Sequence, residues 1–263
     1  DRAIKLIEKL VIEGKKVATL GPIIHNQQVI EDLESRGVTV VDNVSDVPED
    51  TILVLRTHGV TKDVLEAAKS FGADLVITHH PMLFNPVSQI LCDSIVYKAV
   101  ASGMSFIASH TCLDKAEGGV NHCLANKVGI KNLKTSEKDE FLKFGEIEPC
   151  TAEEFAKIIK SALGGAVSFT DAGKTIKTVA LCSGGGGDFV AEAKNIGADA
   201  FLTGEAKHHE YLYSNDFGIS MFVAGHFETE NVVCEYLYNS LNEKFGNEIE
   251  IKVSDLKNPI NHI

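Results

Sequence analysis

Short apolar runs alternate with longer amphipathic ones along almost the whole chain, and this alternation restricts the fold more than any other feature. The runs "DLVIT" (74–78), "MSFIASH" (104–110), "TVALCS" (178–183), "DAFLTG" (199–204) and "SMFVAG" (220–225) are too short for ordinary helices and rich in β-branched and aromatic residues, so each reads as a strand. "KKVATLG" (15–21), "VTVVD" (38–42) and "TILVL" (51–55) read the same way. Helix-like segments fall at 2–13, 27–37, 61–72, 93–103, 116–129 and 188–197. Strands joined through helices pair in parallel, because a parallel pair needs a long crossover. The expected class is therefore α/β, with mostly parallel sheets and flanking helices. Residues 131–170 break the rhythm and predict antiparallel strands around the helix "TAEEFAKIIKSALGG" (151–165). A long helix from about 228 to 245 and a last strand "EIEIKV" (248–253) complete the pattern. No repeat of fixed period is present.

The formal net charge of -12 argues against binding a phosphate backbone or an anionic membrane surface, both of which need basic surface. Small molecules and metal ions are the expected partners, without direct nucleic-acid or membrane binding. The six cysteines form neither a C-x-x-C pair nor a compact framework, which fits a reducing, cytoplasmic compartment. No apolar run is long enough to span a bilayer, and the start lacks a signal-peptide core. Because Asp1 already stands inside an amphipathic pattern, a truncated N-terminus is expected.

Ligands of parallel sheets bind beyond the carboxyl ends of the strands, so the residues just after each strand carry the functional signal. In "ADLVITHHPMLF" two histidines follow an apolar run, and successive strand side chains face opposite ways. Pro81 cannot donate to a ladder, so the strand is expected to end before His79 and His80. "FIAS" leads to His110 and Asp114, "AFLTG" to Glu205, His208 and His209, and "MFVAG" to His226 and Glu230 at i, i+4 spacing. Any one of these is also an ordinary surface or core side chain, and the His226/Glu230 pair an ordinary solvated helix face. Seven of the ten histidines nevertheless lie in or beside these turns. Mixed His, Asp and Glu ligands suit Zn, Mn or Fe, and there are too many for one tetrahedral ion. Two divalent ions bridged by a carboxylate would use them all. The run Ser183, Gly184, Gly185, Gly186, Gly187 leaves two readings open: an amide loop holding an anionic substrate group, or a tight turn with Asp188 as N-cap.

Four ordered motifs, "ITHHPMLF", "SHTCLDKAEGGVN", "CSGGGG" with "GADAFLTGEAKHHE", and "AGHFETE", resemble the Nif-three-like family, also labelled GTP cyclohydrolase I type 2, over about 64–263. The resemblance implies a two-lobed α/β fold with a dinuclear metal site in a cleft, lobe one being about 64–130 plus 206–263 and lobe two about 131–205. It implies His79, His80, Asp114, His226 and Glu230 as metal ligands and a hexameric ring as the assembly. Hydrolase or cyclohydrolase chemistry on a small, phosphorylated or nucleotide-like substrate is the expected activity, with His208 or His209 orienting substrate or shuttling a proton.

Residues 1 to about 70 resemble instead an N-terminal fragment of hydroxymethylbutenyl diphosphate reductase, the LytB or IspH family, through "HNQQ" and "THGV" with His25 and His58. That family's cluster-binding cysteines have no match here, so no iron-sulfur cluster is expected and the chain reads as a chimera with its boundary near residue 63. A terpenoid-pathway reductase and a non-catalytic metal-binding regulatory protein are the rival readings.

Overall fold

A computed structural model of the chain describes residues 17–20, 38–41, 52–54, 62–246, 248–254, 258 and 260. The expected helices at 2–13 and 27–37, and both His25 and His58, lie outside them. The chain divides between Ser109 and His110 into two compact units.

In the first unit, strands β1 (Val17–Leu20), β2 (Val38–Val41) and β3 (Ile52–Val54) form a parallel sheet in the order β2-β1-β3. Helix α1 (Lys62–Phe71) follows, then β4 (Leu75–Thr78), α2 (Ile95–Val100) and β5 (Ser105–Ala108). Strands β4 and β5 pair in parallel, Leu75 opposite Ser105. Leu65 of α1 and Ala99 of α2 are buried together, with Met82, Ile95, Met104 and Phe106 packed against them.

The second unit begins with the short helices α3 (Thr111–Lys115) and α4 (Val120–Lys127). Then come β6 (Lys131–Thr135), β7 (Lys143–Cys150), α5 (Ala152–Leu163), β8 (Ser168–Phe169) and β9 (Ile176–Cys182). A 3-10 turn at Gly187–Phe189 leads into α6 (Val190–Asn195), β10 (Ala200–Thr203), α7 (His208–Phe217) and β11 (Ser220–Val223), and the unit's last helices are α8 (His226–Glu230) and α9 (Val233–Phe245). Its six strands form one sheet in the order β6-β7-β9-β10-β11-β8. Strands β9, β10 and β11 are parallel, as the alternation predicts, whereas β6, β7 and β8 run antiparallel to their neighbours, so the sheet is mixed. The antiparallel members fall in the irregular stretch 131–170. This sheet also joins residues that the sequence reading divides between two lobes.

Both faces of the sheet are covered. Val179, Leu181, Ala200, Leu202 and Phe222 join Leu124 of α4 and Phe155 and Ile159 of α5 in one cluster. Ala180, Cys182, Phe201 and Met221 join Val190 and Ala193 of α6 in the other. Successive strand residues thus face opposite clusters, and β10 is buried at every position. Phe222 is held edge-on by Phe155 at 5.0 Å and stacked on Phe169 of β8 at 5.6 Å. Helix α5 starts at a capping box, in which the Thr151 hydroxyl accepts from the Glu154 amide and the Glu154 carboxylate accepts from the Thr151 amide.

Two expected elements differ. The helix expected from 228 to 245 is two helices, broken at Asn231 and Val232, with neither Gly nor Pro there to signal it. The break separates α8, held by Thr229, from α9, which starts on the buried Val233. Residues 248–253 form no strand, and Ile249 and Val253 are exposed. Their alternation is that of a strand, but neither edge strand, β6 or β8, is paired with them.

Removing the ring that wedges Phe222 leaves a large cavity, so Phe155→Ala is expected to lower stability by about 3–5 kcal/mol, read from urea unfolding midpoints. A loss below about 1 kcal/mol would show that the cluster collapses around the gap. Burial, reinforced by the charges of Asp114, Asp139, Asp188 and Glu230, pushes the Cys182 thiol up to about 12. At pH 8 that thiol is almost wholly protonated, and its side chain is shielded. Iodoacetamide on the native protein is therefore expected to label the exposed Cys92 and Cys112 while Cys182 stays unmodified until the chain is unfolded.

Candidate functional site

In the first unit, β4 ends at Thr78, and the histidine pair follows it, as Pro81 predicts. The Thr78 hydroxyl donates to the carbonyl of His80 at 2.9 Å, closing the turn that presents both rings. The ring centroids of His79 and His80 lie 4.9 Å apart, and each ring offers a nitrogen within 4.8 Å of the other's.

In the second unit, β9, β10 and β11 deliver their carboxyl ends to one edge because they are parallel. The glycine run turns back there, held by three fully buried side chains. Asn121 of α4 accepts from the Ser183 amide at 2.8 Å, Thr229 of α8 from the Gly184 amide at 3.1 Å, and Thr203 of β10 from the Gly186 amide at 3.1 Å. Those three amides are committed inside the fold, whereas Gly185 and Gly187 line the cavity beside His226. Asp188 is not an N-cap: Gly186 precedes the 3-10 turn and Phe189 precedes α6. The run is glycine because of crowding. A Cβ on Gly184, whose φ is +60°, would stand 2.2 Å from a Glu230 carboxylate oxygen, and one on Gly204 would stand 2.6 Å from the Thr229 hydroxyl.

What this close packing holds in place is His226. Its Nε2 lies 3.0 Å from Glu230 Oε1, one turn along α8, and its Nδ1 lies 3.2 Å from Glu205 Oε2, just after β10. Hydrogen bonding to Glu230 raises the proton affinity of the imidazole most, burial opposes it, and the charge of Glu230 and the contact with Glu205 add to it, placing the pKa at about 9. The ring is therefore cationic at neutral pH. Two carboxylates converging on one partly buried point demand positive charge, and the nitrogen and oxygen donors are those that Zn, Mn or Fe accept.

Asp114 stands on α3, whose last carbonyl, that of Lys115, accepts from the buried Lys143 ammonium at 3.1 Å. Asp114 and Glu230 are two of the four carboxylates whose charges add to burial in raising the Cys182 thiol. A cavity of about 550 Å³ opens beside His226, lined by Glu205, Lys207, Gly185, Gly187 and Asn258 among others. His208 and His209 head α7 but do not line it, and His209 packs its ring edge-on against Tyr213 at 5.5 Å. His226, Glu230 and Glu205 are legible in the sequence from their places after strands, whereas the contact of Glu205 with His226 and the roles of Asn121, Thr203 and Thr229 are not. Only the position of Thr203 at a strand end gives any sequence signal for these.

The model of the Duf34/NIF3 (NGG1p interacting factor 3) family matches residues 17–259. A GTP cyclohydrolase 1 type 2 homolog of Clostridium perfringens is 28% identical, the alignment covering 89% of this chain and 93% of the relative. Another protein of that description, from Pseudomonas aeruginosa, is 31% identical over 76% of this chain and 83% of its own. The crystal structure of Staphylococcus aureus hypothetical protein SA1388 superposes with a TM-score of 0.70 at 25% identity, over 82% of this chain and 89% of that one. A hydroxymethylbutenyl diphosphate reductase structure superposes with a TM-score of only 0.23 at 15% identity. The family match includes β1, β2 and β3, within the segment whose sequence resembles that reductase. With this match over nearly its whole length, and with an α/β fold shared with structures of that kind, the chain belongs to the Duf34/NIF3 family.

Proposed function

We propose that the chain is a dinuclear-metal-dependent, hydrolase-like protein acting on a small, phosphorylated or nucleotide-like molecule, a reading in line with its relatives named GTP cyclohydrolase 1 type 2 homologs. The observation that carries this reading is His226 fixed between Glu205 and Glu230 at the mouth of a cavity, where three parallel strands end. His79, His80, Asp114, His226 and Glu230 would hold the ions, in keeping with the sequence motifs. Two such ions, when bound, acidify a water and polarise a phosphate or ring carbon.

The chain's own residues supply the frame. Glu230 and His226 keep an oxygen and a nitrogen side by side, since one turn of α8 separates them. Thr229, between them in sequence, turns inward and ties that helix to the glycine run. The exposed Lys207 ammonium on the cavity wall suits an anionic group on the substrate. His208 or His209, which head α7 outside the cavity lining, would have to turn toward a bound substrate to orient it or move a proton. A homo-oligomer, hexameric by resemblance, is the proposed assembly. The reductase reading has no thiolates for a cluster in its segment, since the first cysteine is Cys92. Among the described residues no helix is long and apolar enough to cross a membrane.

Purified protein is expected to carry about two divalent ions per chain by elemental mass spectrometry. Asp114→Ala should lower that content more than His122→Ala, because the His122 ring is occupied in accepting from the Gly118 amide at 3.2 Å. Retention of both ions in the Asp114 variant would sink the ligand assignment. Turnover of a panel of phosphate esters and nucleotides tests the chemistry, and metal binding with no turnover would favour a regulatory protein. Changing His25 and His58 together to alanine should leave metal content per folded molecule unchanged, and a large loss would show that the N-terminal segment serves the site.

A further inference from the structure

We propose that Glu205 is a positioning residue for the metal centre: it accepts from Nδ1 of His226, so that when an ion takes the place of the other ring proton, Nε2 is the nitrogen offered to it. The proposal rests on the metal-binding reading above and adds a residue that its ligand set does not contain.

Imidazole has two different nitrogens, and the partner of one decides what the other can do. Here the partners are unequal. Nε2 faces Glu230, whose side chain is 13% exposed and belongs to the same helix. Nδ1 faces Glu205, whose side chain is 59% exposed and comes from a different strand end. An ion bound jointly by Nε2 and Glu230 leaves a hydrogen on Nδ1 that needs an acceptor, and Glu205 Oε2 stands 3.2 Å away to receive it.

The base of each partner is fixed although the head of Glu205 is open to solvent. The Glu205 amide donates to the Gly184 carbonyl at 2.8 Å, and the Gly225 amide, just before His226, donates to the Gly204 carbonyl at 3.0 Å. The Thr229 hydroxyl lies 3.0 Å from the His226 carbonyl, which it can use as an acceptor. Because Gly204 admits no side chain, Glu205 and His226 approach through backbone contact. A carboxylate so placed sets ring orientation and ligand basicity while remaining outside the ion's own shell.

The experiment titrates Zn²⁺ into metal-free full-length protein by competition with a chelator, comparing wild type with Glu205→Ala, Glu205→Gln, His226→Ala and Glu230→Ala. Circular dichroism on the same samples counts folded molecules. Nitrogen-15 spectra of the histidine rings in Zn-loaded wild type and Glu205→Gln read the tautomer directly. Glu205→Ala is expected to weaken Zn²⁺ about 10–100-fold. Glu205→Gln should lose less, because an amide oxygen still accepts from Nδ1. His226 should show hydrogen on Nδ1 in wild type and in Glu205→Gln. Affinity of Glu205→Ala within twofold of wild type would overturn the proposal. So would Glu205→Gln falling as far as His226→Ala, which would make Glu205 a ligand itself. Hydrogen on Nε2 in the Zn-loaded wild type would overturn it even if the alanine variant failed to fold. If His226→Ala and Glu230→Ala bind Zn²⁺ as tightly as wild type, the metal-binding reading itself fails, and that result is separate from the three above.

Discussion

The carbonyl of Gly184 is the point on which the rest of the site depends. It receives the amides of Gly204 at 3.0 Å and Glu205 at 2.8 Å and lies 3.3 Å from the Thr203 hydroxyl, so the loop after β9 and the loop after β10 are bound into one piece. The Gly184 amide reaches the Thr229 hydroxyl, which adds α8 to the same knot. Each buried backbone group finds a partner within a few residues of a strand end, where the ladder can no longer provide one. Side chains on this frame have little freedom to shift, because glycine is the only residue that several of its positions admit.

Such rigidity has an electrostatic consequence. Glu205 and Glu230 are brought to opposite sides of one imidazole, an arrangement that repels itself unless a positive charge lies between or beside the carboxylates. His226 supplies that charge as a proton, and a divalent ion would supply it more strongly while taking the proton's place. Covering both faces of the sheet puts this site beside a well-packed interior. The same proximity makes the Cys182 thiol, at the end of β9, a poor nucleophile.

Much of this was legible in the residues. Strands 75–78, 105–108, 200–203 and 220–223 lie within the runs read as strands, since short β-branched and aromatic stretches bounded by glycine or polar residues have few other solutions. Pro81 was enough to end β4 before the histidine pair. His226 and Glu230 were legible from spacing alone. The split between α8 and α9 was not, because Asn231 and Val232 continue a helical pattern in sequence and keep right-handed helical backbone angles. Residues 248–253 alternate as a strand does, yet pairing needs an available edge, and periodicity says nothing about that.

By itself, then, the sequence determined which residues end each strand and that imidazole and carboxylate gather at those ends, because local sterics and side-chain period are properties of short segments. Only the tertiary structure decided that the Ser183, Gly184 and Gly186 amides go to Asn121, Thr229 and Thr203, and that Glu205 faces the second nitrogen of His226. Those are contacts between residues far apart in the chain. Their existence depends on strand order and on the few ångströms that separate neighbouring strand ends, which no local pattern encodes.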